Sequence, residues 1–140
     1  MVKRRQAFTL IELIITLSII SIVLSLVLPN KNMFSYYGQN NEVKALERDL
    51  LTARARSVAE GKIYSFEMVD NLRAYTIVRD NLVIKRVNLN HIRFSNFFTF
   101  YFLVNGSASK SGTIEIRAGN NETYEIKVAV ATGKITLYGK

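Results

Sequence analysis

Residues 8–28 read FTLIELIITLSIISIVLSLVL and decide how the rest of the chain is arranged. The run has about the 20 predominantly apolar residues that a helix needs to cross the hydrocarbon core of a bilayer. Lys3, Arg4 and Arg5 precede it and Pro29 follows it. Because cationic residues flanking a membrane helix stay in the cytoplasm, the sequence predicts a single-pass protein of the cytoplasmic membrane with its N-terminus inside. Everything after Pro29 then lies outside.

A removed signal peptide is the simpler alternative for a basic segment followed by an apolar one. Three features count against it: the run exceeds the usual apolar length, it contains an acid, and no small-residue cleavage signal follows it. We therefore expect the apolar helix to stay attached to the exported part.

Glu12 is the one charged residue inside the apolar run. A carboxylate at membrane depth costs a few kcal/mol and usually has a partner and a function. The run supplies no Lys, Arg or His, so the partner has to come from another chain or from a new amine. Cleavage after Ala7 would create that amine on Phe8, four residues earlier and on the same helical face. Such a pair would attract strongly enough to guide one subunit against the next.

The short basic leader followed by FTLIEL at residues 8–13 resembles the leader of type IV pilins and pseudopilins. The resemblance implies that a prepilin peptidase cuts between Ala7 and Phe8 and methylates the new N-terminus, giving N-methylphenylalanine. It also implies that Glu12 aligns the incoming subunit with other pseudopilins of the same filament. The family normally has glycine where this chain has Ala7, and Pro29 falls where the family has a helix-bending proline.

Ser18, Ser21 and Ser25 recur along one stripe of the apolar helix. Small residues let membrane helices approach closely, which favours packing against partner helices. The alternative is that each hydroxyl simply bonds a carbonyl of its own helix.

The composition excludes several kinds of functional site. There is no cysteine and one histidine among the 140 residues, so disulfides, thiol catalysis and a histidine-based metal centre are not expected. No glycine-rich phosphate loop is present. We expect no cofactor, no metal and no enzyme activity.

After Pro29 the pattern becomes helical up to Gly61 and then alternates as in strands separated by short turns. Asp70-Asn71 and Asp80-Asn81 are the expected turns of two hairpins. The expected fold is α+β: a long N-terminal helix, transmembrane and then amphipathic, packed on antiparallel sheets. The expected organisation is a leader at 1–7, an assembly helix at 8–29, a helix extension at 30–61 and a β domain at 62–140.

The C-terminal pattern of GTIEI at 112–116, YEIKV at 124–128 and TGKI at 132–135 resembles the sheet of minor pseudopilins. The similar groups are the secretion-system H-type pseudopilins, the FimT-type minor pilins and the ComGD competence pseudopilins, with ComGD the most similar. The resemblance implies a structural subunit of a competence pilus that supports DNA uptake for transformation. A type II secretion pseudopilin and a surface-anchored DNA receptor are the alternatives.

The formal net charge of +8 makes DNA a candidate partner, because cationic side chains bind phosphates without regard to base sequence. The candidate DNA-binding residues are Lys134, Lys140, Lys127 and Arg117. The resemblance to FimT-type relatives, which carry such residues near the C-terminus, singles out Lys134 and Lys140. The alternative is that these residues form an ordinary solvated face.

Overall fold

The computed structural model describes residues 9–27, 31–119 and 121–139. It divides the chain into two units, one ending at Phe34 and the other beginning at Ser35. The first unit contains one helix, and the second contains most of another helix and every strand of the described residues.

Helix α1 is Leu10–Val27. It begins at Thr9, whose side-chain oxygen accepts a hydrogen bond of 3.3 Å from the backbone N–H of Glu12, as an N-cap threonine does. The predicted membrane helix over 8–29 has both ends, Phe8 and Pro29, outside the described residues. Among the helices that the structure describes, none is both long enough and apolar enough to span a membrane.

Helix α2 is Lys31–Glu60 and packs one apolar face on the sheets. Val43, Leu46 and Leu50 lie three and four residues apart and are buried, which is the spacing of one helical face. The helix ends as predicted at Gly61, where φ is +63°. The N–H of the next residue returns to the carbonyl of Ser57 at 3.2 Å, which is the Schellman pattern.

Eight strands form two antiparallel sheets of four. They are β1 Tyr64–Val69, β2 Ala74–Arg79, β3 Leu82–Asn88, β4 Ile92–Phe94, β5 Phe100–Phe102, β6 Gly112–Ala118, β7 Thr123–Val128 and β8 Ile135–Gly139. The strand orders are β3-β2-β1-β5 and β4-β6-β7-β8. The predicted α+β fold with antiparallel sheets is thereby confirmed.

Of the two turns that connect the first three strands, the β2–β3 turn has the predicted length and the β1–β2 turn does not. Asp80 and Asn81 form the predicted two-residue hairpin turn, both with positive φ. The β1–β2 connection is longer than predicted, because four residues at 70–73 separate paired Val69 and Ala74. Within this loop the Leu72 carbonyl accepts a hydrogen bond of 3.0 Å from Phe94 of the other sheet.

One hydrophobic core lies between α2 and the two sheets. Phe66 of the first sheet and Phe94 of the second meet edge to face with ring centroids 6.2 Å apart. Phe100 adds a tilted contact with Phe66 at 5.6 Å. The shared core holds the two sheets together, and the β1–β2 loop and the β4–β6 pair carry the basic surface described below.

Candidate assembly helix and candidate nucleic-acid interface

The apolar surface of α1 faces outward all round the helix. Exposed fractions run from 79% at Leu10 to 57% at Leu24, with values above half for every Leu, Ile and Val between them. A soluble monomer rarely leaves so large an apolar surface in water. Exposed apolar surface of this extent is typical of a segment that contacts lipid or another protein.

Glu12 lies in the first turn of α1, where a carboxylate interacts favourably with the helix dipole. Within the described residues its carboxylate accepts no hydrogen bond and forms no ion pair. The predicted cleavage and methylation positions, Ala7 and Phe8, lie outside the described residues. The predicted amine partner of Glu12 is therefore outside them as well.

The three serines of α1 satisfy their hydroxyls inside the helix. Ser18 donates to the carbonyl of Ile14 at 2.8 Å, Ser21 to that of Leu17 at 2.8 Å, and Ser25 to Ile22 at 2.9 Å. A hydroxyl that is bonded in this way needs no hydrogen-bond partner from another chain. The stripe therefore presents small side chains with satisfied hydroxyl groups to a neighbouring helix. Its role in helix packing stays a prediction.

The predicted DNA-binding residues lie at opposite ends of the second sheet, and Lys140 is outside the described residues. Lys127 faces Thr113 and lies near the β7–β8 turn that carries Lys134. Arg117 faces Thr123 at the start of β7, four residues before Lys127. At about 3.4 Å per residue this separation is about 14 Å. The structure therefore does not gather the predicted residues into one site.

Lys127 is already engaged by its own sheet. Its Nζ lies 4.8 Å from the ring centroid of Tyr138 and 3.8 Å from a carboxylate oxygen of Glu125. Lys134 is exposed, and its backbone N–H donates to the Thr132 hydroxyl at 3.2 Å. Of these two lysines, Lys134 has the side chain that is more available to an outside anion.

Arg117 lies beside two further arginines that are not among the candidate DNA-binding residues given above. It faces Arg93 directly across the β4–β6 pair. Together with Arg73, from the 70–73 loop, these residues line a cleft of about 310 Å³. None of the three guanidinium groups has an ion-pair partner within the described parts of the chain. We call these three residues the arginine trio.

Glu42 of α2 fixes one wall of this cleft. Its carboxylate accepts hydrogen bonds from the backbone N–H groups of Asn90, His91 and Ile92 at 3.1, 3.0 and 3.2 Å. The His91 ring packs so closely on Gly38 that an added Cβ there would lie 2.7 Å from it. The loop between β3 and β4 is thus attached to α2.

Other basic side chains, on the first sheet and in the connection before it, are held in ion pairs. Hydrogen bonds from Tyr64 and Arg79 lower the pKa of Glu60, and the same contact raises the pKa of Arg79. Burial and a hydrogen bond of 2.7 Å to Asp49 raise the pKa of the Tyr75 phenol. The pairs are Lys62–Asp80, Arg79–Glu60, Lys85–Asp49 and Arg86–Asp70. These cations are less available to an outside anion than the arginine trio.

Residues 2–28 match the family described as the prokaryotic N-terminal methylation motif. The match includes the basic segment, the apolar run and Glu12, and the motif is the N-terminal motif of type IV pilins. No curated protein is significantly similar to the chain in sequence. No group of three or more potential ligands that could hold a metal ion occurs in the described part of the chain.

Two solved structures share the fold. The minor pseudopilin EpsH from the Type 2 Secretion System of Vibrio cholerae aligns with a TM-score of 0.58 and 13% identity, over 71% of this chain and 95% of that chain. The type IV minor pilin FimU of Pseudomonas aeruginosa aligns with a TM-score of 0.59 and 14% identity, over 71% of this chain and 91% of that chain. The chain therefore has a type IV pilin-like fold.

Proposed function

We propose that the chain is a minor pseudopilin, a structural subunit of a competence pilus that supports DNA uptake. The observation that carries the proposal is the helix α1, whose apolar surface is exposed all round and whose first turn holds the carboxylate of Glu12, without a partner among the described residues. A subunit that moves from the membrane into a filament core needs such a helix, because both surroundings are apolar. The match of residues 2–28 to the methylation motif supports the same role.

Glu12 is the proposed alignment residue. In this proposal a prepilin peptidase removes residues 1–7 and methylates Phe8, and the new amine meets the carboxylate of Glu12 on a neighbouring subunit. The attraction between opposite charges in an apolar medium sets the axial position of the incoming subunit. Ser18, Ser21 and Ser25 allow close approach of the helices.

The proposed location is the cytoplasmic membrane, with the N-terminus inside, and then the filament. The apolar segment 8–29 anchors the subunit before assembly, 30–61 carries the domain, and 62–140 is displayed outside. The proposed role is structural, without a cofactor and without an active site.

DNA uptake is proposed because three arginines at one edge of the displayed domain have no carboxylate partners within the described parts of the chain. A ComGD-type competence pseudopilin fits this charge. The second candidate is an H-type pseudopilin of a type II secretion system, which the shared fold with EpsH favours. A neighbouring gene for an outer-membrane secretin would favour secretion, and neighbouring competence genes would favour DNA uptake.

The proposed function is tested by Glu12→Val, with Ile11→Val as a matched control on the same helical turn. Removing the carboxylate lowers the cost of membrane insertion, so we expect the variant to reach the membrane as well as the native chain. We expect Glu12→Val to be missing from sheared filaments. When it is expressed in a deletion strain, we expect it not to restore DNA uptake. Normal filament incorporation of Glu12→Val would refute the alignment role, and normal DNA uptake by the deletion strain would refute the competence role.

A further inference from the structure

Two members of the arginine trio form an unfavourable pair in the second sheet, which points to a use outside the fold. Arg93 and Arg117 are direct cross-strand neighbours, and like charges in that position destabilise a sheet. Their Cα atoms are about 5 Å apart, as in any antiparallel pair. Glu115, two residues before Arg117 on the same strand face, is not within ion-pair distance of it. The repulsion is therefore not offset by an ion pair among the described residues.

The surroundings of the trio favour an anion. Among the described residues that line the cleft of about 310 Å³ there is no Asp or Glu, and polar groups are supplied by Asn90 and Asn121. The guanidinium group suits phosphate particularly well, because its planar fork donates two parallel hydrogen bonds. Arg93 and Arg117 lie on paired strands of the second sheet and Arg73 lies in the β1–β2 loop of the first, so the fold and not a flexible tail positions them.

The shape favours a chain of phosphates over a single one. Arg93 and Arg117 also line a second hollow of about 230 Å³, together with Asn71 and Ser95. The two hollows share Arg93 and Arg117, so together they form a groove with its positive charge at the centre. A free phosphate would use one hollow, whereas a polymer would use both.

We propose that the arginine trio is the docking site for the sugar-phosphate backbone of DNA. This inference rests on the proposed DNA-uptake function and names a different surface for it than Lys134 and Lys127. The contacts are to phosphates, so binding is independent of base sequence and falls steeply with salt.

The test uses the full chain in non-ionic detergent and a short fluorescent DNA duplex, with binding measured by anisotropy at increasing KCl. The double variant Arg93→Gln/Arg117→Gln is expected to weaken binding about tenfold for each arginine removed. It should also lower the slope of log affinity against log salt by about 1.8, or 0.9 for each lost phosphate contact. Its Tm should stay the same or rise, because the repulsion between the two arginines is gone.

The matched control is Lys44→Gln/Arg48→Gln, which removes two exposed charges from α2 away from the cleft. We expect it to leave the affinity and the salt slope unchanged. An equal loss in both double variants would mean that net charge alone attracts DNA, and this would overturn the site. A loss confined to Lys127→Gln/Lys134→Gln would place binding at the other end of the sheet and would overturn it too.

Two further experiments distinguish DNA from other ligands that contain phosphate. If vesicles of phosphatidylglycerol, and not DNA, bind the native chain and lose binding in Arg93→Gln/Arg117→Gln, the site serves lipid headgroups and the proposal is overturned. Competition by inorganic phosphate at concentrations too low to act through ionic strength would equally indicate a site for single anions. The proposed function fails separately, since it is refuted by normal DNA uptake in the deletion strain and not by any of these binding results.

Discussion

Replacement of Glu42 by alanine tests how α2 positions the loop that forms a wall of the arginine cleft. The Glu42 carboxylate accepts three backbone N–H groups, from Asn90, His91 and Ile92, at 3.0–3.2 Å. Hydrogen bonds to a charged group contribute about 1.5–3 kcal/mol each when buried. Asn90 and His91 are exposed and their N–H groups would hydrate after truncation, whereas Ile92 is buried. We therefore expect a loss of about 2–3 kcal/mol, which is less than three full hydrogen bonds.

The assay is thermal unfolding of the full chain in non-ionic detergent, followed by circular dichroism. For a domain of this size about 1 kcal/mol corresponds to about 4 °C, so Glu42→Ala should lower the Tm by about 8–12 °C. Glu42→Gln keeps a neutral acceptor and should lose about 1 kcal/mol. Glu47→Ala is the control, because Glu47 lies on the same helix with no side-chain partner among the described residues. A Glu42→Ala protein that melts within about 2 °C of the native chain, or no lower than the control, would refute this account of the loop.

Three further predictions concern other parts of the chain. Gly133→Ala should destabilise the fold by at least about 2 kcal/mol in urea unfolding, because its Cβ would lie 1.9 Å from the Gly106 carbonyl oxygen at a φ of +58°; a midpoint equal to that of the native chain would contradict this. The pKa of Glu60 is lowered from 4.5 in the folded state. The contribution of its carboxylate to the free energy of unfolding is therefore present above pH 4.5 and is lost as the pH falls through the folded-state pKa. Glu60→Gln should therefore lose less Tm than the native chain between neutral pH and about pH 3, and an equal loss would contradict the prediction. Ala7→Gly should speed leader removal in pulse–chase labelling, because it restores the glycine that the resembled family carries; an unchanged rate would show that Ala7 does not limit cleavage.

The elements of the fold could be read from local patterns. The Asp80-Asn81 pair predicted a tight hairpin, and Gly61 predicted the end of α2, because both depend on residues that accept positive φ. Local patterns do not show how much of the aromatic run at 97–103 joins a sheet, and only the three residues of β5 do so. Only Phe100 to Phe102 pair with β1, and the N–H of Phe98 instead meets the sulfur of Met68 at 3.4 Å.

The arginine trio could not be read in the same way. Alternation along β4 and β6 predicts which side chains point outward, but it does not say which strands pair or in which register. Arg93 and Arg117 become neighbours only through the pairing of these two strands. Arg73 joins them because the β1–β2 loop is longer than its Asp70-Asn71 start suggested. Sequence reasoning named Arg117 as a candidate DNA-binding residue, but nothing in the sequence showed that Arg93 and Arg73 would lie beside it.

The most direct test of the central claim is mass spectrometry of the N-terminal peptide of the mature protein, isolated from cells with and without the prepilin peptidase. The account predicts a peptide that begins at Phe8 and carries one methyl group on its amine when the peptidase is present, and residues 1–7 still attached when it is absent. An N-terminus that still includes residues 1–7 in cells with an active peptidase, or one that forms equally without it, would contradict the account.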